Sequence, residues 1–403
     1  MRHRWLAGIF AFCAAWAILV AVVSNDRNHQ VWGDIAAVGY GLALLVLLAV
    51  RHPRAVDLAI GLAFLGGLVV PLCYLAVSAM YQPEVAVVAH SGLSLLHHGT
   101  PYRSPAALAK LGKVNDYNPY LPLMALFGLP SALWGGELNL LTDPRVWFGI
   151  VFIAVFWLAL RRGGARDPGR WTLLVAASPV IAFEVAVGGT DVPMVAFLCL
   201  GFAYLWSRNP TLAGLSLGIA SAMKATAWPA LLVAAVLLWV TEGRRAVRDF
   251  ALTAVAVVVV CVGPFLAVDP WPLIVNTIKF PLGLAGMTSQ AQSPLPGYLI
   301  AEHLPHGHGL VTGLLVLAAL GIGLFLLFRP PRTVPRAVIT LAFAMSLMFV
   351  LAPSTRVGYF IYPAGLLIWV FAAWAGQQAD EDLLGEIEVG FLPARVPQSP
   401  PAP

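Results

Sequence analysis

Residues 120–136 read YLPLMALFGLPSALWGG, and whether this run crosses a membrane decides the topology of the whole chain. It is apolar enough to pass for a span, yet it holds Pro122 and Pro130. If it crossed, the arginine-rich turn RRGGARDPGR (161–170) would lie on the opposite side from the other arginine turns. Basic turns gather on one face of a membrane protein, so the run is predicted to lie along, or dip into, one leaflet without spanning it.

The rest of the chain gives that prediction its setting. Of 403 residues, 60% are hydrophobic and 11% charged, whereas soluble domains carry about a quarter charged residues. This excludes a soluble globular protein and predicts an all-α polytopic membrane protein with about 12 transmembrane helices. The expected spans are 5–23, 33–50, 56–80, 144–162, 169–187, 191–207, 211–224, 227–241, 249–268, 309–328, 335–352 and 358–376. The run 211–241 has to cross twice, so its two helices are short and meet near Lys224 and Pro229. With the N-terminus inside, 16 of the 24 basic residues fall on the cytoplasmic side, while all four lysines fall outside or at outer helix ends. The formal charge of +5 is therefore read as a topology signal, with no nucleic-acid partner. The expected location is the plasma membrane, multi-pass, both termini cytoplasmic. Residues 1–376 form one membrane domain. Residues 377–403, with Asp380, Glu381, Asp382, Glu386 and Glu388 ahead of a proline-rich end, read as a disordered cytoplasmic tail. Cys13, Cys73, Cys199 and Cys261 all lie in apolar runs without CxxC spacing, which points to buried thiols.

Two external segments, 81–143 and 269–308, are too long for simple connections. In QPEVAVVAHSGLSLLHHGTPY (82–102), Val85, Val88, Leu95 and Leu96 share one helical face, with His90, Ser94, His97 and His98 on the other. The spacing predicts an amphipathic juxtamembrane helix stopped at Gly99. Glu84 stands in its first turn, either as an acid favoured by the helix dipole or as a carboxylate held at headgroup level. The stretch NDYNPYLP (115–122) adds Asp116. On the same side lie Glu184, the turn GGTD (188–191), Lys224 and Arg356. A charge within a span costs roughly 2.5–3.5 kcal/mol and usually faces a cavity or pathway. Lys224 is the strongest such case, its alternative being to snorkel to the headgroups; Arg356 could equally be an interface anchor. Asp269, Lys279, Glu302 and HLPHGHG (303–309) come from the second segment. Its histidines have no carboxylate or cysteine at ligand spacing, so neither a metal nor another cofactor is expected. Acids and cations converging on one side suggest chemistry on a lipid-anchored anion.

These residues resemble the GT-C superfamily of membrane glycosyltransferases, and most closely glycosyltransferase family 87, the polyprenol-phosphate-mannose-dependent mannosyltransferases of actinobacteria. The likeness rests on Glu84, then Gly99-Thr100-Pro101-Tyr102, then Tyr117-Asn118-Pro119-Tyr120-Leu121-Pro122-Leu123. It continues through VAASPVIAFEVAVGGTDVPMVAFLCLGFAYL, LAGLSLGIASAMKATAWP and LAPSTRVGYFIYPAGLLIW, covering about residues 80–375. Two positions depart from the family pattern: Glu84 stands where an aspartate is usual, and Gly188-Gly189 where Gly-Gln is usual. The resemblance implies inverting transfer of a sugar, mannose in that family, from a polyprenyl-phosphate donor to a glycolipid or cell-envelope glycan acceptor on the extracytoplasmic face. It implies Glu84 as general base with Asp116 as runner-up. Lys224, Arg356, His303, Arg103 and Lys279 become candidates for the donor phosphate. Tyr102, Tyr117, Asn118, Tyr120, Asp191 and Tyr359 become candidates for substrate binding, although Asp191 could instead cap its helix. The alternatives are a polyprenyl-phosphate-arabinofuranose transferase, or a transporter or flippase of lipid-linked sugars. The unlike halves and the long first external segment weigh against a transporter.

Overall fold

The computed structural model describes residues 3–52, 54–287 and 289–390, with the backbone alone for residue 3 and for 376–390. The chain is an all-α polytopic membrane protein. Its helices are α1 (His3–Val23), α2 (Arg27–Ala49), α3 (Ala55–Val77), α4 (Pro83–His98), α5 (Pro105–Leu111), α6 (Pro122–Leu133), α7 (Pro144–Arg162), α8 (Pro168–Ala176), α9 (Pro179–Val187) and α10 (Val192–Trp206). There follow α11 (Pro210–Met223), α12 (Trp228–Thr241), α13 (Arg244–Val268), α14 (Pro270–Ile274), α15 (Pro296–His303), α16 (Gly307–Phe328), α17 (Val334–Leu351) and α18 (Ile361–Gly390). Proline opens many of them, where its missing N–H costs no helical bond. Several are capped by a preceding side chain, as where Asn209 accepts from the Leu212 N–H.

Among the described residues eight helices are long and apolar enough to cross a membrane, and the pair α8–α9, bent by 59°, would make a ninth. The bend has a local cause. Pro179 cannot donate to the Val175 carbonyl, which instead accepts from the Ser178 hydroxyl at 2.6 Å, and the freed Ala177 carbonyl accepts from Tyr40 at 2.5 Å. The other three expected spans are α10, α11 and α12, with 15, 14 and 14 residues. At 1.5 Å per residue they reach about 21–23 Å, short of a hydrocarbon core of about 30 Å. The sequence anticipated short helices at 211–241, but not at 191–207. There α10 is buried along nearly its whole length, so its neighbours rather than lipid set its reach.

The run 120–136 forms only α6, a short helix that begins in 3-10 geometry. Gly92 of α4 and Gly128 of α6 meet backbone to backbone, and a Cβ on either would collide with the backbone of the other helix. The Leu121 N–H donates to the Met223 carbonyl at 2.8 Å, fastening α6 to the end of α11. In α4, Val85 and Val88 are buried while His90, His97 and His98 are exposed, and Gly99 adopts the left-handed backbone (φ +69°) that ends the helix. Leu96, expected on the buried side, is exposed. The core gathers Phe10, Trp32, Tyr40, Phe148, Phe152, Phe156 and Trp369. Helix α18 continues to Gly390, into the stretch expected as a tail from 377; residues 391–403 lie outside the described residues.

Candidate active site

Four segments at one end of the helices bring the site together: the first turn of α4, the turn between α9 and α10, the break between α11 and α12, and the connection from α17 to α18. The first carries Glu84, whose Oε1 pairs with the Arg356 guanidinium at 2.5 Å. Its Oε2 is buried and has no hydrogen-bond partner among the described residues. The second carries Asp191, whose Oδ1 accepts from Lys224 Nζ at 2.7 Å and from the Tyr362 hydroxyl at 2.9 Å. The Lys224 ammonium also lies over the Tyr359 ring at 4.7 Å and the Tyr120 ring at 5.6 Å. Aromatic faces attract a cation, so the lysine is held by a carboxylate and two rings. The Thr190 hydroxyl donates to the Tyr120 hydroxyl at 3.0 Å, linking the turn 188–191 to the opening of α6.

Burial governs the electrostatics here. It works against the charge on Arg356, but the Glu84 carboxylate together with Tyr359 and Tyr120 outweighs it, and the net effect is to raise the guanidinium's pKa. Burial first, and the nearby Glu84 carboxylate among the other causes, push Tyr120 well above the ordinary tyrosine value, so it serves as a neutral hydrogen-bonding group.

Two tethers hold the acids in place. Arg145 and Asp143, both with wholly buried side chains, form an ion pair at 2.7 Å. Arg145 Nη1 also donates to the Met80 carbonyl at 2.8 Å and to the Ala186 carbonyl at 2.6 Å. It thereby ties the residues leading to Glu84 to the end of α9. The Gln82 N–H donates to the Val187 carbonyl, and the Gln82 amide meets His29 Nε2 at 2.8 Å. On the far side, residues 291–293 pair with Thr355 as a single parallel bridge, and Ser293 Oγ accepts from the Val357 N–H, which fixes the loop carrying Arg356.

Glu84, Arg356, Asp191, Lys224, Tyr120 and Tyr359, all expected from the sequence, therefore lie in one cluster. Tyr102 supports it from behind by donating to the Tyr120 carbonyl at 2.8 Å. Tyr117 and Asn118 form a seam between segments 81–143 and 269–308. Tyr117 stacks on Phe280 at 4.6 Å, and the Asn118 N–H donates to Asn276 Oδ1 at 2.8 Å. Asp116 pairs with Arg103 at 3.0 Å, and its Oδ2 is also buried without a partner among the described residues. Lys279 sits over the Trp271 ring at 4.2 Å, and the exposed His303 turns Nδ1 to its own helix at the Leu299 carbonyl. Neither makes a contact with the cluster among the described residues. No group of three or more His, Cys, Asp or Glu residues among the described residues is arranged to hold a metal.

Glu184 is the acid whose place the sequence left unassigned. Its carboxylate fills the space beside Gly189 and Gly358, so a Cβ at either glycine would strike it. It therefore lies between the loop of Asp191 and the loop of Arg356. Tyr362 and Thr226, whose hydroxyls meet at 3.0 Å, were also missed. Both had the look of ordinary residues in apolar helices.

Comparison with known proteins adds the family. The model of glycosyltransferase family 87 matches residues 118–354, more than half of the chain, and the chain belongs to that family. The matched range contains Tyr120, Asp191 and Lys224; Glu84 precedes it, and Arg356 and Tyr359 follow it. No curated protein matches the chain.

Proposed function

We propose, from its membership of glycosyltransferase family 87, that this glycosyltransferase moves mannose from a polyprenyl-phosphate carrier to a hydroxyl of a glycolipid or cell-envelope glycan, inverting the anomeric centre on the extracytoplasmic face. The observation that supports this reading is the two-sided state of Glu84, with one oxygen fixed by Arg356 and the other buried and free of partners. A base that is oriented by one oxygen and open at the other is arranged to take a proton. The acceptor oxygen attacks the anomeric carbon, and its proton passes to Glu84 Oε2. The bond from that carbon to the phosphate oxygen breaks with its electron pair on the oxygen. Arg356, beside the base, and Lys224, held above two tyrosine rings, meet the charge gathering on the departing phosphate. Asp191, Tyr362 and Thr190 position Lys224 and Tyr120 rather than touching the reacting atoms. The extracytoplasmic placement is supported by the arginine turns at the opposite helix ends.

The test is transfer from polyprenyl-phosphate-mannose by purified protein in detergent, where no second compartment exists and transport cannot register. Wild type is expected to form product, and Glu84→Gln to lose about 10²–10⁴-fold in kcat. Undiminished transfer by Glu84→Gln removes the base assignment. Activity with the arabinofuranose donor instead of the mannose donor overturns the sugar.

A further inference from the structure

The helices that hold the cluster at one end enclose a second feature at the other. Helix α10 starts just after Asp191 and ends at Trp206, and α11 returns to end just before Lys224, so the turn between them lies at the opposite end from the ion pairs. There a cavity of about 560 Å³ opens between this turn, the end of α12 and the start of α17. Arg208, Arg332 and Arg336 line it, against a single acid, Glu242. Among the described residues none of the three guanidiniums has an ion pair or hydrogen bond. Arg208 is held with positive φ (+53°), a conformation that residues with a Cβ rarely adopt, by a turn whose Asn209 caps α11. Trp206 and Trp374 give the cavity an apolar wall.

We infer that this cavity binds the phosphate head of an anionic phospholipid. Guanidinium is the side chain best matched to phosphate oxygens, and three unpaired ones around one opening form a concentrated positive site. Tryptophan is the residue that settles at headgroup depth. A free phosphate would have no use for the apolar wall, whereas the glycerol and upper acyl chain of a lipid would lie along it. The leaflet follows from the orientation proposed above and is the cytoplasmic one; the binding itself does not depend on that reading or on the sugar transferred.

The test is native mass spectrometry of the purified, delipidated full-length protein titrated with phosphatidylglycerol or phosphatidylcholine. Wild type is expected to prefer phosphatidylglycerol. The triple variant Arg208→Gln, Arg332→Gln, Arg336→Gln is expected to lose that preference, each arginine contributing about fivefold in affinity. Arg161→Gln, Arg162→Gln, Arg166→Gln, which removes arginines of the same side outside the cavity, is expected to keep it. Size-exclusion profile and melting temperature report whether the triple variant folds; if it does not, Arg208→Gln alone carries the test with about a fivefold loss. Equal loss in the control variant means diffuse surface charge and overturns the site. Displacement of the lipid by millimolar inorganic phosphate overturns the lipid as its occupant. A gain in lipid binding on neutralising Asp380, Glu381 and Asp382 assigns the cavity to the chain's own acidic stretch and overturns the inference likewise.

Discussion

Arg145 is the residue through which the fold reaches the site, and replacing it by methionine separates positioning from chemistry. Its guanidinium makes contacts through Nε and Nη2 to the Asp143 carboxylate, and through Nη1 to the carbonyls of Met80 and Ala186. Both side chains of the pair are wholly inaccessible to solvent. Methionine keeps most of the volume but leaves a buried carboxylate without its cation and two carbonyls without a donor. Breaking a buried ion pair from one side costs about 3–5 kcal/mol, because the remaining charge is uncompensated. The orphaned carbonyls add about 1–3 kcal/mol each where no water reaches them. Arg145→Met is therefore expected to melt well below wild type in detergent and to lose activity, since Met80 leads to Glu84 and Ala186 to Asp191. Asp143→Asn combined with Arg145→Met removes both charges while keeping a capping side chain for α7. That double variant is expected to melt above Arg145→Met, despite carrying one substitution more. Tryptophan fluorescence against temperature, with sugar transfer measured on the same samples, gives both readings. An Arg145→Met protein that melts with wild type, or a double variant that loses the sum of the single effects, refutes the reasoning.

Three further outcomes follow from the site. Lys224→Met leaves Asp191 buried without its cation and strips the two tyrosine rings of theirs, so transfer is expected to fall more than about 10²-fold in kcat/KM. Gly189→Ala places a Cβ against the Glu184 carboxylate, so it is expected to lower activity and melting temperature, and Glu184→Ala in the same chain to restore part of the melting temperature. Burial raises the pKa of Tyr102 above the ordinary 10.0, so the folded protein keeps a proton that the unfolded chain gives up. Its contribution is complete below pH 10 and declines as pH rises from there toward the folded value. Tyr102→Phe is therefore expected to flatten the alkaline loss of stability, measured by melting from pH 8 to 11, while costing about 1 kcal/mol at neutral pH through the lost bond to Tyr120.

Much of this molecule was legible because lipid forces the backbone into helices, which long apolar runs mark out. Glu84, Asp191, Lys224 and Arg356 stood out as charges in an apolar chain. Their pairing did not, because Asp191–Lys224 and Glu84–Arg356 join residues 33 and 272 positions apart. Glu184 was visible as an acid, but its place depends on two glycines, Gly189 and Gly358, on separate loops. Lys279 and His303 are suited to phosphate by charge, but charge alone does not show the Trp271 ring and the Leu299 carbonyl that they meet.

The run 120–136 joins these levels. Its prolines and glycines limit it to a short helix, and that shortness has a consequence for the chemistry. A longer straight helix would have drawn Gly128 and the residues after it away from α4. Instead Gly128 packs on Gly92 of the helix that begins beside Glu84, Leu121 bonds to the residue before Lys224, and Tyr120 reaches both Thr190 and the Lys224 ammonium. One short helix thus touches the supports of Glu84 and of Lys224. The same short helix brings the Glu84–Arg356 and Asp191–Lys224 pairs into one cluster.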